Sequence, residues 1–406
     1  MNDSVKTSTA LNDVRYEIRG KLANRAHEME RLGYEIISLN IGNPGAFGFR
    51  TPETMRLAMI ENLQSSEGYC HQKGIFPARE AVVMQQQDRG VPGVTAEHVF
   101  IGNGVSELID MTLRGLLNTG DEVLVPSPDY PLWTAGVTLN QGKPVHYPCP
   151  PETGHEPDLA AIESLINDKT RAIVVINPNN PTGAVYSRAT LKAIVRLAAQ
   201  HDLVIFSDEI YDEMIYDDTE FVPLATLVSA GICVTFSGLS KVYRACGYRV
   251  GWAIISGDLD RAEAYLDALE LLASLRLCSN VPAQWAVQTA LGGYQSIAEL
   301  VAPGGRLFES RQVIVDRVAG HSCLDVVKPA GSMYAFVGVD QQKLPNFDDN
   351  EFALDLLEQK HVLVAPGVSF NVPYNNHFRI TLLPDGNQLD DVFDRIKDLL
   401  DGYASS

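Results

Sequence analysis

Short runs of apolar residues alternate, through the middle of the chain, with longer stretches whose apolar positions recur at helical spacing. The run at 99–101 leads through Gly102-Asn103-Gly104 into an apolar-periodic helix over 105–117. Residues 122–125 predict a strand that stops at Pro126-Ser127-Pro128. Residues 171–176 (RAIVVI) predict another, ended by Asn177-Pro178, with a helix over 187–199 behind it. The runs 203–206, 233–236 and 251–255 continue the series. Strands this apolar on both faces suit a mostly parallel sheet covered by helices, an α/β fold. The polar punctuation follows the strands, on the side where ligands gather in open α/β sheets.

Farther along, helices are predicted over 258–275 and 282–291, then a break at Pro303-Gly304-Gly305 and a helix over 306–318. Strands at 333–339, 361–364 and 378–383, with helices at 352–360 and 389–400, read as a smaller α+β domain. The expected division is an N-terminal segment at 1–50 packing on the small domain and over the ligand site, a large domain at 51–300 and a small one at 301–406.

Composition narrows the function. The chain has 406 residues, 45% hydrophobic, and its 32 Lys and Arg against 51 Asp and Glu leave a net charge of −19. So acidic a surface repels a phosphate backbone, so no nucleic-acid partner is expected. An anionic ligand must be held by a few well-placed cations and amides. No run reaches the roughly 18 apolar residues of a membrane span, and the N-terminal stretch lacks the apolar core of a secretory signal. The six cysteines are scattered, with no CxxC pair. They are expected to be reduced thiols in a cytoplasmic protein.

Four stretches carry candidate chemistry. Gly102 to Glu107 (GNGVSE) lies between strand and helix, where backbone N–H groups close on an anion at a helix N-terminus. It is neither a GxGxxG fingerprint nor a P-loop. Asp208 follows the strand LVIF, with Tyr211 three residues on; taken alone, this Asp reads as a helix cap. Lys241, in Ser237-Gly238-Leu239-Ser240-Lys241, lies just past a buried strand with Arg249 eight residues beyond. A lysine partly desolvated beside another cation becomes a usable amine nucleophile, although most lysines lie exposed at loop tips. Asn177 to Gly183 (NPNNPTG) predicts a rigid turn with side-chain donors.

Each feature alone has a bland structural reading; together they fit an aromatic phosphorylated aldehyde. Asn180-Pro181-Thr182-Gly183, Asp208-x-x-Tyr211 and Ser240-Lys241 with Arg249 resemble the fold-type-I, class I and II aminotransferases, which use pyridoxal 5′-phosphate. The resemblance spans Asn40-Ile41-Gly42-Asn43-Pro44 to Phe378-Arg379-Ile380. It implies a seven-stranded, mostly parallel sheet between helices. It also implies that Lys241 forms the Schiff base and shuttles a proton, and that Asp208 pairs with the pyridine nitrogen. Asn180 and Tyr211 would bond the phenolate oxygen, and Tyr130 would stack on the ring. The amides of Gly104, Val105 and Ser106, with Arg249 opposite, would hold the phosphate. Hydroxyls of Ser237 or Ser240 would join it, although Gly238 stands where the family often has a serine. Tyr69 matches the tyrosine that reaches the neighbouring subunit's phosphate, which implies a homodimer with shared sites.

Arg379 sits within an apolar strand, where a planar guanidinium suits bidentate capture of a carboxylate; a buried salt bridge is the competing reading. By the resemblance it holds the substrate α-carboxylate, helped by Asn180 and Gly42. The runs 40–44, 102–108, 129–133, 177–186 and 291–296 look like the bacterial alanine (glutamate–pyruvate) aminotransferases. That branch exchanges the amino group between L-alanine and 2-oxoglutarate, so one pocket must take a methyl group or a second carboxylate. Arg19, with Tyr16, is expected to gate that distal carboxylate. The alternatives are an aminotransferase for aromatic, aspartate or branched-chain amino acids, a carbon–sulfur β-lyase on the same cofactor, and a cofactor-sensing regulator module.

Overall fold

A computed structural model describes residues 5–14 and 20–404; Tyr16 and Arg19 lie outside the described residues. The strands in chain order are β1 (Ile37–Ser38), β2 (Val99–Gly102), β3 (Glu122–Ser127), β4 (Lys143–Pro148), β5 (Thr170–Ile176), β6 (Val204–Asp208), β7 (Ile232–Gly238) and β8 (Gly251–Gly257). There follow β9 (Leu324–Val326), β10 (Tyr334–Val339), β11 (Val362–Leu363), β12 (Ala365–Pro366) and β13 (His377–Thr381).

The large sheet has seven strands in the order β2-β8-β7-β6-β5-β3-β4. Only β8 runs against its neighbours, so the sheet is mostly parallel, as the resemblance implies. Alternate residues feed opposite layers. Val123, Val125, Val174 and Ile176 pack with the helices Val105–Leu116 and Glu263–Leu275, whereas Leu124, Ile173 and Val175 join the core on the other face. This is why the strands read as unbroken apolar runs. Each fully buried Val or Ile contributes about 1.5–3 kcal/mol.

The second sheet is antiparallel, β12-β13-β10-β9. β1 pairs in parallel with β11, so the chain just before residue 40 is tied beside this sheet. Ahead of it, the helix Lys21–Arg31 buries Ala26 and Met29 against Leu357 and Leu363.

The sequence pattern passes over one strand of the large sheet and misplaces two other elements. β4 is not marked by hydrophobicity because, unlike the other edge strand β2, it is exposed or half-buried along most of its length, and its edge position tolerates Pro144 and Pro148. The helix expected from 258 begins at Glu263, since the Asp258 carboxylate accepts the Arg261 N–H (3.4 Å) in a preceding turn. The strand expected at 361–364 is only the two residues of β11, paired with β1; the chain then passes to the small sheet, where β12 pairs with β13.

Candidate active site

The parallel strands end together, and the residues that follow them line a cavity of about 870 Å³. Val105 and Ser106 come from the start of the helix after β2, Tyr130 from the corner after β3, and Asn180 from the turn after β5. Asp208 and Tyr211 come from the end of β6, and Ser240, Lys241 and Arg249 from the loop after β7. Gly42, Tyr334 and Arg379 close the cavity from the other side.

The anion cradle is the N-terminus of the helix Val105–Leu116, whose first N–H groups have no intrahelical partner. Gly104 caps it at φ 84, and a Cβ there would fall 2.4 Å from Arg249 Nη2. Glycine is therefore required both for the backbone angle and to leave the guanidinium its place. Arg249 donates to the carbonyls of Cys246 (3.1 Å) and Asn103 (3.2 Å), and among the described residues it has no carboxylate partner. Asn280 braces the cradle, bonding Asn103 Oδ1 through its N–H at 2.9 Å and the Arg249 carbonyl through Nδ2 at 3.0 Å.

Across the cavity floor, the buried Asp208 accepts the indole N–H of Trp133 at 3.0 Å. Burial pushes its carboxyl up to about 6, against the Trp133 bond and the charge of Lys241. Lys241 Nζ donates to the Gly42 carbonyl at 2.7 Å. The hydroxyls of Tyr211 and Tyr334 lie 3.3 Å apart. Burial opposes ionisation of both. At Tyr334 the charges of Lys241 and Arg379 outweigh it and hold the phenol below its ordinary value, whereas Tyr211 is pushed well above.

Arg379 is 1% exposed and has no carboxylate partner among the described residues, so the buried salt bridge is absent. One Nη donates to Asn180 Oδ1 at 2.8 Å, the other to the Asn40 carbonyl, and Nε is buried without a partner. The guanidinium lies between the rings of Tyr334 (4.2 Å) and Phe370 (4.7 Å). A charge held this way, with an unused donor, is chemically suited to a carboxylate. The asparagine turn divides its labour. Asn177 and Asn179 bond within the turn, to the Tyr186 N–H (2.9 Å) and the Thr182 hydroxyl (2.8 Å), while Asn180 faces the cavity.

Most of the residues singled out from sequence thus surround one space. Ser237 does not: it is buried within β7 and, unlike Ser240, does not line the cavity. Tyr69 is 80% exposed and also lies outside it. Cys246 does line it, its thiol directed at the Ser240 carbonyl (2.8 Å). Trp133, Tyr334, Phe370 and the Asn40 carbonyl were not anticipated. Trp133, three residues past Tyr130 where a helix begins, could have been suspected from that spacing; the others leave no local signal.

The donor set fits pyridoxal phosphate: a cradle that only glycine leaves open, a buried acid for a ring nitrogen, and an amine between them. The chain belongs to the class I and II aminotransferases, whose family model matches residues 34–396. Enzymes of this family depend on pyridoxal phosphate. The chain is 47% identical over 402 residues to the glutamate-pyruvate aminotransferase AlaA of Escherichia coli strain K12, covering 98% of each protein. It is also 47% identical over 400 residues to the alanine aminotransferase of Mycobacterium bovis, covering 98% of this chain and 92% of that one. The crystal structure of an aminotransferase from Escherichia coli superposes with a TM-score of 0.97 at 46% identity, over 99% of this chain and 100% of the other. Among the described residues, no helix is long and apolar enough to cross a membrane.

Proposed function

We propose that the protein is an alanine transaminase, moving the α-amino group between L-alanine and 2-oxoglutarate to give pyruvate and L-glutamate. The observation that carries this reading is the convergence of Lys241, Asp208 and Arg379 on one cavity. Full-length similarity to alanine aminotransferases supports the choice of substrate.

Pyridoxal phosphate, when bound, supplies an aldehyde that condenses with amines and a ring that takes up the electrons of a broken Cα–H bond. Val105, Ser106, Gly104 and Arg249 would hold its phosphate, with Ser240 beside them. Asp208, kept in place by Trp133, would hold a proton on the ring nitrogen. Asn180 and Tyr211 would donate to the ring oxygen, and Tyr130 would cover the ring face. Arg379 binds the substrate α-carboxylate and so orients its Cα–H bond toward Lys241. The Lys241 amine then takes that proton and returns it, a role suited to a lysine anchored by the Gly42 carbonyl. The aromatic rings around Arg379 exclude water, which strengthens its hold on the carboxylate.

The same reading makes the active unit a homodimer in which Tyr69 reaches the neighbouring subunit's phosphate; its exposure within one chain supports this. Arg19 and Tyr16 remain assigned to the distal carboxylate of glutamate. Six free cysteines support a reducing, cytoplasmic setting.

The test is the visible spectrum of the purified protein. L-alanine should bleach the yellow absorption and 2-oxoglutarate should restore it. A bound chromophore unmoved by alanine would sink the alanine assignment. Release of ammonia and pyruvate from cysteine conjugates would point to a lyase instead.

A further inference from the structure

Asp129 is completely buried, and none of the roles above uses it. Its Oδ1 accepts from Asn371 Nδ2 at 2.8 Å and its Oδ2 from Thr134 Oγ1 at 2.5 Å. Its backbone N–H donates to the Phe370 carbonyl at 3.1 Å, and the neighbouring Ser127 hydroxyl donates to the Asn371 carbonyl at 2.9 Å. The bonds to Asn371 and Phe370 join the corner after β3, on the large sheet, to the turn between β12 and β13 on the small one.

This is no ordinary ion pair. Among the described residues, the basic group nearest the carboxylate is His146, with Nε2 at 4.0 Å from Oδ2 and 2.9 Å from the Thr134 hydroxyl. Burial pushes the Asp129 carboxyl up to about 7, against the bonds from Thr134 and Asn371. A carboxyl buried without a cation costs stability, so its use must lie in the geometry it imposes. Both ends of the junction touch the site. Tyr130, the next residue, lines the cavity and packs in one apolar cluster with Phe370. Phe370 in turn lies against the Arg379 guanidinium.

We propose that Asp129 is a positioning residue: its carboxyl ties the Tyr130 corner to the Phe370–Asn371 turn and so fixes the spacing between the aromatic face over the cofactor and the arginine that takes the substrate carboxylate. The proposal rests on the transaminase reading. It acts through Tyr130 and Arg379, since the Asp129 carboxyl does not itself face the cavity. An arginine set off from the face that covers the cofactor holds the substrate carboxylate less well in ground and transition state alike, which reads as a raised KM.

The test compares Asp129→Ala, Asp129→Asn and Asn371→Gly in the holoenzyme. Glycine at 371 removes the amide while keeping the left-handed backbone angle, φ 54, that Asn371 adopts. Asp129→Ala and Asn371→Gly should each raise KM for L-alanine and 2-oxoglutarate by about tenfold, the scale of one lost buried hydrogen bond, with kcat and cofactor absorbance changed far less. The double variant should be no worse than the worse single one, because both remove the same link. Asp129→Asn, which still accepts from Asn371, should stay near wild type. Unchanged KM in both disruptive variants, even with a lowered melting temperature, overturns the proposal, as do additive effects. If Asp129→Ala does not fold, the KM of Asn371→Gly decides alone. A wild-type protein without transaminase activity would instead refute the functional reading.

Discussion

Asp208 holds its carboxyl against an indole N–H inside the protein, and burial raises it from the ordinary 3.8 to about 6. The unfolded chain gives up that proton first. The folded apoprotein therefore loses stability as the pH climbs from about 4 to about 6, and keeps the full penalty above that. At about 1.4 kcal/mol per unit the penalty is on the order of 3 kcal/mol. Asp208→Asn removes it. Without cofactor this variant should melt above the wild type at pH 8, the gap closing near pH 4, while transamination falls by at least about a hundredfold. Coincident melting curves at both pH values would mean that no buried charge is present. Asp208, Lys241 and Asn180 were legible only as a set: each stands at or shortly after the end of a buried strand, and the ordered motifs that carry the resemblance, not any one position, gave them their roles. Tyr334 and the Asn40 carbonyl were not legible, because the groups they touch lie 123 and 339 positions away along the chain.

At the scale of elements, the segment after β1 passes so close to the start of β10 that a side chain cannot be inserted. A Cβ on Gly42 would stand 2.2 Å from the Tyr334 hydroxyl and 2.8 Å from the Met333 sulfur, both on buried residues. Gly42→Ala should push Tyr334 away from Tyr211 and shift the carbonyl that holds Lys241. We expect kcat/KM for L-alanine to fall by about tenfold or more, the scale of a lost buried contact. Adding Tyr334→Phe, which deletes the clashing oxygen, should recover part of it. Steady-state kinetics that leave Gly42→Ala at wild-type efficiency would show that the two segments can part freely. Strand and helix positions in the large sheet were legible because its interior strands are buried on both faces. β4, the split between β11 and β12 and the late start at Glu263 were not, since an edge strand, a change of sheet and a turn leave no apolar period.

For the whole molecule, the helices Glu53–Glu61, Phe76–Asp88 and Val281–Gly292 pack together, and the first two leave Leu57, Ile60, Phe76 and Met84 exposed. In the proposed dimer these four side chains are expected to be covered by the second copy. Sedimentation should give twice the chain mass, and Tyr69→Phe should weaken pyridoxal phosphate binding by about tenfold without splitting the dimer, as expected for one charge-assisted hydrogen bond. A monomer that retains full activity would exclude shared sites.

The two cations that do most at this site are anchored by main-chain oxygens of one segment: Lys241 by Gly42 and Arg379 by Asn40. Changes at Ile41 or Asn43 replace side chains beside these two oxygens, whereas a change at Gly42 forces the segment itself to move. Ile41 and Asn43 also line the cavity, so substitutions there are expected to alter substrate preference in steady-state kinetics while the two oxygens keep their cations.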